Sequence, residues 1–292
     1  MVTYLIDRET VPDLRKPVGH KFDHGHAVVL CGGAGHTGAA RLAARGALRA
    51  GAGLVTLGVP PAAQLEVAAQ ITAIMLERIA DADALAAKLD DERVNALCLG
   101  PGLGLSERAA GLVDAALGVG HLHVSWSTVF DADALTLIAS DPTRMAALNA
   151  SCVLTPHGGE FARLFPDIAE RYAAAPTHGP AYSKVDATRD AAHRCGAVVL
   201  FKGPDTVIAH PDGRANVHSA AYDRAAPWLA TAGAGDVLAG LITGLLARGF
   251  DPMTAASVAA WLHVECARAF GPGLIAEDLP ETLPQVLRGL ER

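Results

Sequence analysis

The chain has 292 residues, 51% hydrophobic and only 19% charged, a balance that excludes extensive disorder and suits one large α/β unit. A formal net charge of −7 argues against a broad nucleic-acid or anionic-membrane surface, while leaving room for a local basic site for a phosphorylated small molecule. Five scattered cysteines without a C-x-x-C pair, a charged N-terminus and no run of about 20 apolar residues point to a reducing, cytoplasmic setting without disulfides, structural zinc or a membrane span.

Residues 1–24 are expected to form an arm ahead of the first strand, and 1–292 to form a single domain. Apolar runs then recur as strand candidates: "AVVL", "GLVTLGV", "ALCLG", "HVSWSTVF", "CVLTP", "AVVLFKG" and "TVIAH". Segments with helical spacing lie between or after them, at Arg41–Ala50, Arg108–Leu117, Asp186–Arg194 and Asp236–Arg248. Continuous apolar strands alternating with helices predict a mainly parallel sheet covered on both faces. The stretch "RLFPDIAERYAAAPTHGPAYSK" reads as irregular, a loop or lid.

After the first strand comes Gly33-x-Gly35-x-x-Gly38, the spacing of a dinucleotide-binding fingerprint. That motif needs an acidic residue about 20 positions on, at the end of the second strand, to hold ribose hydroxyls. Here the second strand ends "LVTLGVPPAAQ", and no acid follows until Glu66. A redox cofactor in a Rossmann cleft is therefore disfavoured. What remains is a tight strand-to-helix turn whose amides suit some other polar or anionic ligand. No P-loop sequence is present.

The most informative stretch is "TAGAGDVLAGLITGLLARG", residues 231–249. Asp236 opens an apolar helix behind Gly233, Ala234 and Gly235. It reads either as a helix cap, or as a base that accepts a proton from an attacking hydroxyl while the "AGAG" amides hold a phosphoryl group. Other polar residues also follow strands. Lys202 and Gly203 open a hairpin turn, with Lys202 either solvated or at a site. His157 and Glu160 precede and begin a helix, as structural groups or as functional ones. "CLGPGLG" gives a glycine-rich strand exit, and Asp131 and Asp133 stand at another junction, where capping is the simpler reading for Asp133. Their convergence on strand ends, where doubly wound sheets bind ligands, is what capping alone leaves unexplained.

In order, "GHTGAARLAARGALRAGAGLVTL", "LGPGLG", "DADAL", "TPHGGEFARL", "KGPDTVIA" and "AGAGDVLAG" resemble the ADP-dependent NAD(P)H-hydrate dehydratase family of the ribokinase-like superfamily, from about His20 to the C-terminus. The resemblance implies a three-layer sandwich, a mainly parallel central sheet with helices on both faces. It also implies a metabolite-repair lyase that returns hydrated NADH or NADPH to the reduced nucleotide, through a phosphorylated intermediate, with ADP as co-substrate and release of AMP and phosphate. By similarity, Ala39, Gly102, His157 and Asp236 would contact the hydrate. Lys202, Gly203, Pro204, Asp205 and Thr206, with Gly235, would contact ADP or AMP. Asp236 would be the catalytic base, Gly233, Ala234 and Gly235 the anion hole, and Glu160 would organise Mg2+ through water. A homo-oligomer such as a tetramer is expected, with the epimerase of many bacterial members on a separate chain or a missing domain. The alternative within the superfamily is a small-molecule kinase acting on a hydroxymethylpyrimidine or thiazole alcohol.

Overall fold

A computed structural model describes residues 2–119, 125–175 and 179–290. The strands are β1 (Thr3–Leu5), β2 (His26–Leu30), β3 (Leu54–Val59), β4 (Met75–Arg78), β5 (Val94–Leu99), β6 (Ser127–Phe130), β7 (Cys152–Leu154), β8 (Val198–Phe201), β9 (Asp205–Ala209) and β10 (Ala215–Ser219). The helices are α1 (Gly38–Arg49), α2 (Gln64–Ala68), α3 (Ala82–Leu89), α4 (Glu107–Ala116), α5 (Ala132–Ala139), α6 (Pro142–Ala146), α7 (Gly158–Leu164), α8 (Pro166–Ala173), α9 (Lys184–Cys195), α10 (Ala234–Ala247), α11 (Pro252–Phe270) and α12 (Asp278–Leu290).

All these strands join one sheet in the order β1-β10-β9-β8-β7-β6-β5-β2-β3-β4. From β8 to β4 every neighbouring pair is parallel; β9 is antiparallel to both β8 and β10. The outermost strand, β1, runs parallel to β10, with Thr3 opposite Ala215.

Side-chain alternation divides the core into two layers. Ala27, Val29, Ala96, Cys98 and Val129 face α1, α10, α11 and α12. Val28, Leu30, Leu97, Leu99 and Phe130 face α3, α4, α5, α7, α8 and α9. The central strands are mostly apolar because both faces are covered, and the expected three-layer sandwich is what forms. All five cysteines are buried and unpaired. Among the described residues no helix is long and apolar enough to cross a membrane.

Three local expectations change. The N-terminal arm contributes β1 to the sheet edge instead of lying wholly apart. The run "HVSWSTVF" yields a strand only over Ser127–Phe130, and His123 and Val124 lie outside the described residues. The stretch read as irregular holds α8, begun by Pro166 at its first turn and anchored by buried Ile168. Proline is well suited to that position, since its missing N–H would have no partner there anyway. Residues 176–178 of the same stretch lie outside the described residues.

The contact that matters most for the site is between α1 and α10. A Cβ on Gly240 would come within 2.0 Å of the Ala43 carbonyl oxygen, and one on Gly244 within 2.4 Å of that of Ala47. Only glycine permits this approach. The two pairs step along both helices in the same direction by four residues, so the helices run parallel and start at the same end. One turn back, in the same register, lie Ala39 and Asp236.

Candidate active site

The parallel strands β2, β5, β6, β7 and β8 all end at the edge of the sheet where α1 and α10 begin. Between β2 and β5 the strand order reverses, the position at which open α/β sheets form a crevice. There the two glycine loops touch. A Cβ on Gly32 would lie 1.8 Å from the Gly102 carbonyl oxygen, and one on Gly102 (φ 63°) would lie 3.4 Å from the Ala39 Cβ. Ala39 and Gly102 are therefore neighbours across the switch point, and the α1–α10 register adds Asp236.

The loop before α1 is clasped from an unexpected side. Glu66, just inside α2, accepts hydrogen bonds from the Gly35 amide at 2.7 Å and the Thr37 hydroxyl at 2.5 Å. These bonds hold its carboxyl below the usual range. The acid missing from the fingerprint thus binds the loop itself, and an amide that a Rossmann turn would offer to pyrophosphate is already filled.

Beyond β6, β7 and β8 lies a charged cluster. Asp131 is only 2% exposed and makes no side-chain cap to α5. Its Oδ1 instead accepts from Lys202 Nζ at 2.7 Å and from the Thr155 hydroxyl at 2.7 Å. Its neighbour Ala132 takes a left-handed backbone (φ 47°), strain of a kind that a non-glycine residue rarely carries. Lys202 Nζ also stands 3.7 Å from Glu160 Oε2. Burial alone would push the Lys202 ammonium down; Asp131, with Glu160 and Asp236, outweighs it and holds the group above its ordinary value. The solvated-lysine reading is overturned.

Glu160 and His157 form a capping box on α7. His157 Nδ1 accepts from the Gly159 and Glu160 amides at 3.0 and 3.3 Å, and Glu160 Oε2 accepts from the His157 amide at 2.8 Å. The structural role is real, and it places Glu160 beside Lys202. Asp133, expected to cap α5, instead accepts from the Gly104 amide at 2.8 Å and ties down the loop after β5.

Asp236 is not the cap of α10. Gly233 (φ 88°) occupies that position, and Asp236 sits in the first turn, half-buried, making no hydrogen bond or ion pair among the described residues. Burial, then the Asp131 carboxylate, push its pKa up to about 6; Lys202 opposes the shift and Asp133 adds to it. A Cβ on Gly235 would lie 3.7 Å from Lys202 Nζ, so the glycine turn and the lysine share one space. Helix geometry leaves the first-turn amides without acceptors inside α10, and the dipole of the helix favours an anion there.

Gly203 and Pro204 follow Lys202 in the β8–β9 turn and Asp205 and Thr206 open β9, with Thr206 donating to the Gly203 carbonyl at 3.0 Å. This turn is braced by Lys184, which sequence reasoning missed. Its ammonium donates to the carbonyls of Lys202 at 3.0 Å and Asp205 at 2.6 Å and lies 4.2 Å from the Phe201 ring centre. Burial lowers its pKa to about 8, against the pull of Asp205. Thr155 was missed as well. Lys184 stands in no glycine-rich context, the signal that marked several of the others, and Thr155 lies unremarked two positions before His157 in "TPHGGEFARL".

The donors present are hard carboxylate oxygens, but among the described residues no three His, Cys, Asp or Glu side chains converge to hold a metal directly. Glu160 already spends Oε2 on the His157 amide. That pattern fits Mg2+ held chiefly by phosphates and water, with Glu160 reaching it through a water molecule. Concavity alone does not locate the site. Hollows of about 490 and 500 Å³ lie against the N-terminal arm and α12, away from this cluster. A hollow of about 410 Å³ lined by Trp228, Thr231, Leu274 and Ile275 opens just ahead of the 233–235 turn.

The fold is that of the ribokinase-like superfamily. A superfamily member from Enterococcus faecalis superposes with a TM-score of 0.80 at 21% identity, over 99% of this chain and 96% of the other. The chain belongs to the NAD(P)H-hydrate dehydratase family, whose model matches residues 27–285. It is 33% identical to the ADP-dependent (S)-NAD(P)H-hydrate dehydratase of Xanthomonas campestris, over 96% of this chain and 93% of that protein. It is 38% identical to the bifunctional NAD(P)H-hydrate repair enzyme Nnr of Moorella thermoacetica, covering 95% of this chain but 52% of the relative. The chain thus spans about half the length of the bifunctional relatives it matches. The ADP/ATP-dependent NAD(P)H-hydrate dehydratase of Bacillus subtilis, co-crystallized with ATP/Mg2+, superposes with a TM-score of 0.76 at 28% identity, over 97% and 96% of the two chains.

Proposed function

We propose that this chain dehydrates hydrated NADH or NADPH in a reaction driven by ADP. The observation that carries the reading is Asp236: a half-buried carboxylate without a partner, beside amides at a helix start and within the field of Lys202. Hydroxide is a poor leaving group, so direct loss of water from the hydrate is slow. Phosphorylation removes that obstacle.

Asp236 accepts the proton of the hydrate's ring hydroxyl as its oxygen attacks the terminal phosphorus of ADP. The new O–P bond forms as the anhydride bond breaks, and AMP leaves. The amides of the Gly233–Gly235 turn that Thr231 leaves free stabilise charge on the transferring group, and Lys202 holds the phosphates of the nucleotide. Bound Mg2+ would neutralise phosphate charge, with Glu160 orienting its water shell. The ring nitrogen's lone pair then expels phosphate, and loss of a proton from the adjacent ring carbon restores NAD(P)H. Ala39, Gly102 and His157 would line the hydrate, while the Lys202–Thr206 turn and Gly235 would contact the nucleotide. The hollow bordered by Trp228 and Ile275 offers apolar surface on which a purine would rest.

The test is to incubate the protein with hydrated NADH or NADPH and ADP or ATP in turn, following the reduced-nicotinamide absorbance. Recovery of absorbance with stoichiometric AMP and phosphate supports the proposal. A flat trace, together with nucleotide consumption in the presence of a pyrimidine or thiazole alcohol, favours the kinase alternative.

A further inference from the structure

His263 lies in the middle of α11, 8% exposed, with Nε2 2.8 Å from the carbonyl oxygen of Ala234. A carbonyl can only accept, so Nε2 carries the proton. Burial lowers the pKa of His263 to about 4, opposed by the bond to Ala234 and reinforced by the nearby Lys202 charge, so the imidazole is neutral with this one tautomer fixed. α10 begins at Ala234, and its carbonyl belongs to the peptide whose other half is the Gly235 amide. That peptide is planar and trans, so its C=O and N–H point in opposite directions. Holding the oxygen therefore aims the Gly235 N–H.

The Ala234 amide is already engaged by the Thr231 carbonyl at 3.4 Å, whereas Gly235 and Asp236 find no main-chain acceptor among the described residues. Gly235 has no side chain to restrain its backbone, and it faces Lys202. At the first turn of α10, where intrahelical bonding is incomplete, a second bond to the Ala234 carbonyl helps to preorganise the Gly235 amide as a donor. We infer that His263 is a positioning residue for the phosphoryl-binding turn, which locks the Ala234–Gly235 peptide plane from behind. The inference rests on the reading of 233–235 as an anion hole.

The experiment compares His263→Leu, which removes the donor, with His263→Gln, whose amide nitrogen reaches the Nε2 position. Turnover of hydrated NADPH with ADP is measured beside thermal unfolding, with Asp236→Asn as a control. We expect H263L to lower kcat by about 10- to 100-fold with KM for the hydrate nearly unchanged, and H263Q to recover most of kcat at similar stability. Unchanged kcat in H263L, or loss in H263Q equal to that in H263L, overturns the role. Should H263L fail to fold, His263→Asn replaces it. Its donor falls short of Ala234, so it must lose kcat where H263Q does not, and equal kcat in the two overturns the role. If D236N itself retains full turnover, the phosphoryl-site reading fails; if D236N is inactive and H263L is not, only the role of His263 fails.

Discussion

The Lys202 ammonium stands 2.7 Å from the Asp131 carboxylate across 71 positions of sequence, joining the ends of two strands that flank β7. Asp131 is almost fully buried, so removing the lysine strands a negative charge in the interior. Lys202→Met is expected to lower stability by about 3 kcal/mol and to weaken ADP binding as well. Adding Asp131→Asn should restore much of the stability and none of the nucleotide affinity. Urea unfolding and calorimetric titration read the two effects separately, and identical unfolding of Lys202→Met and the parent protein would show that the pair contributes nothing.

Asp236→Asn should abolish turnover while leaving ADP affinity largely intact. It should also raise the melting temperature at pH 7–8. An ionised carboxylate held at about 6 instead of 3.8 costs the folded state about 3 kcal/mol above that pH, and asparagine removes the charge. Because the folded pKa is the higher one, the parent's stability from this group is fully present below about pH 4 and is lost as pH rises through 6. The gain of the variant should shrink accordingly on acidification. Scanning calorimetry between pH 4 and 8 checks the sign.

The same shift sets the acid limb of catalysis. The base must be unprotonated, so kcat/KM should be half-maximal near pH 6 and fall about tenfold per unit below it. A profile flat down to pH 4.5 would mean that another group accepts the proton.

Much of this was legible in the sequence. Strands β2, β3, β5 and β8 are buried on both faces and therefore predominantly apolar, which is the signal they leave. β1 and β4 are short, exposed edge strands with no such signal, and Pro166 hid α8 by looking like a break when it is a start. Within the site, residues next to glycine turns were visible. Lys184 was not, because it reaches the turn after β8 from the start of α9 and no spacing in one sequence encodes that approach; Thr155, though inside "TPHGGEFARL", shows its role only through its bond to the distant Asp131.

Gly240→Ala should disturb stability and activity together. Its methyl would meet backbone, not a flexible side chain, so α1 and α10 must separate. A loss of about 1–3 kcal/mol is expected, with weaker binding of the hydrate as Ala39 moves away from Asp236. Gly38→Ala, whose methyl meets nothing within 4 Å, is the matched control and should be nearly silent. Equal melting temperatures for the two variants would show that the helix contact is more yielding than its geometry implies.

The pairing of Thr3 with Ala215 has a consequence for how the molecule assembles. The outer border of the sheet is completed by a segment whose partner is translated some two hundred residues later, after most of the remaining strands already have neighbours within reach. Completion of that border therefore waits on β10 and carries a loop-closure cost that rises only slowly with the intervening length.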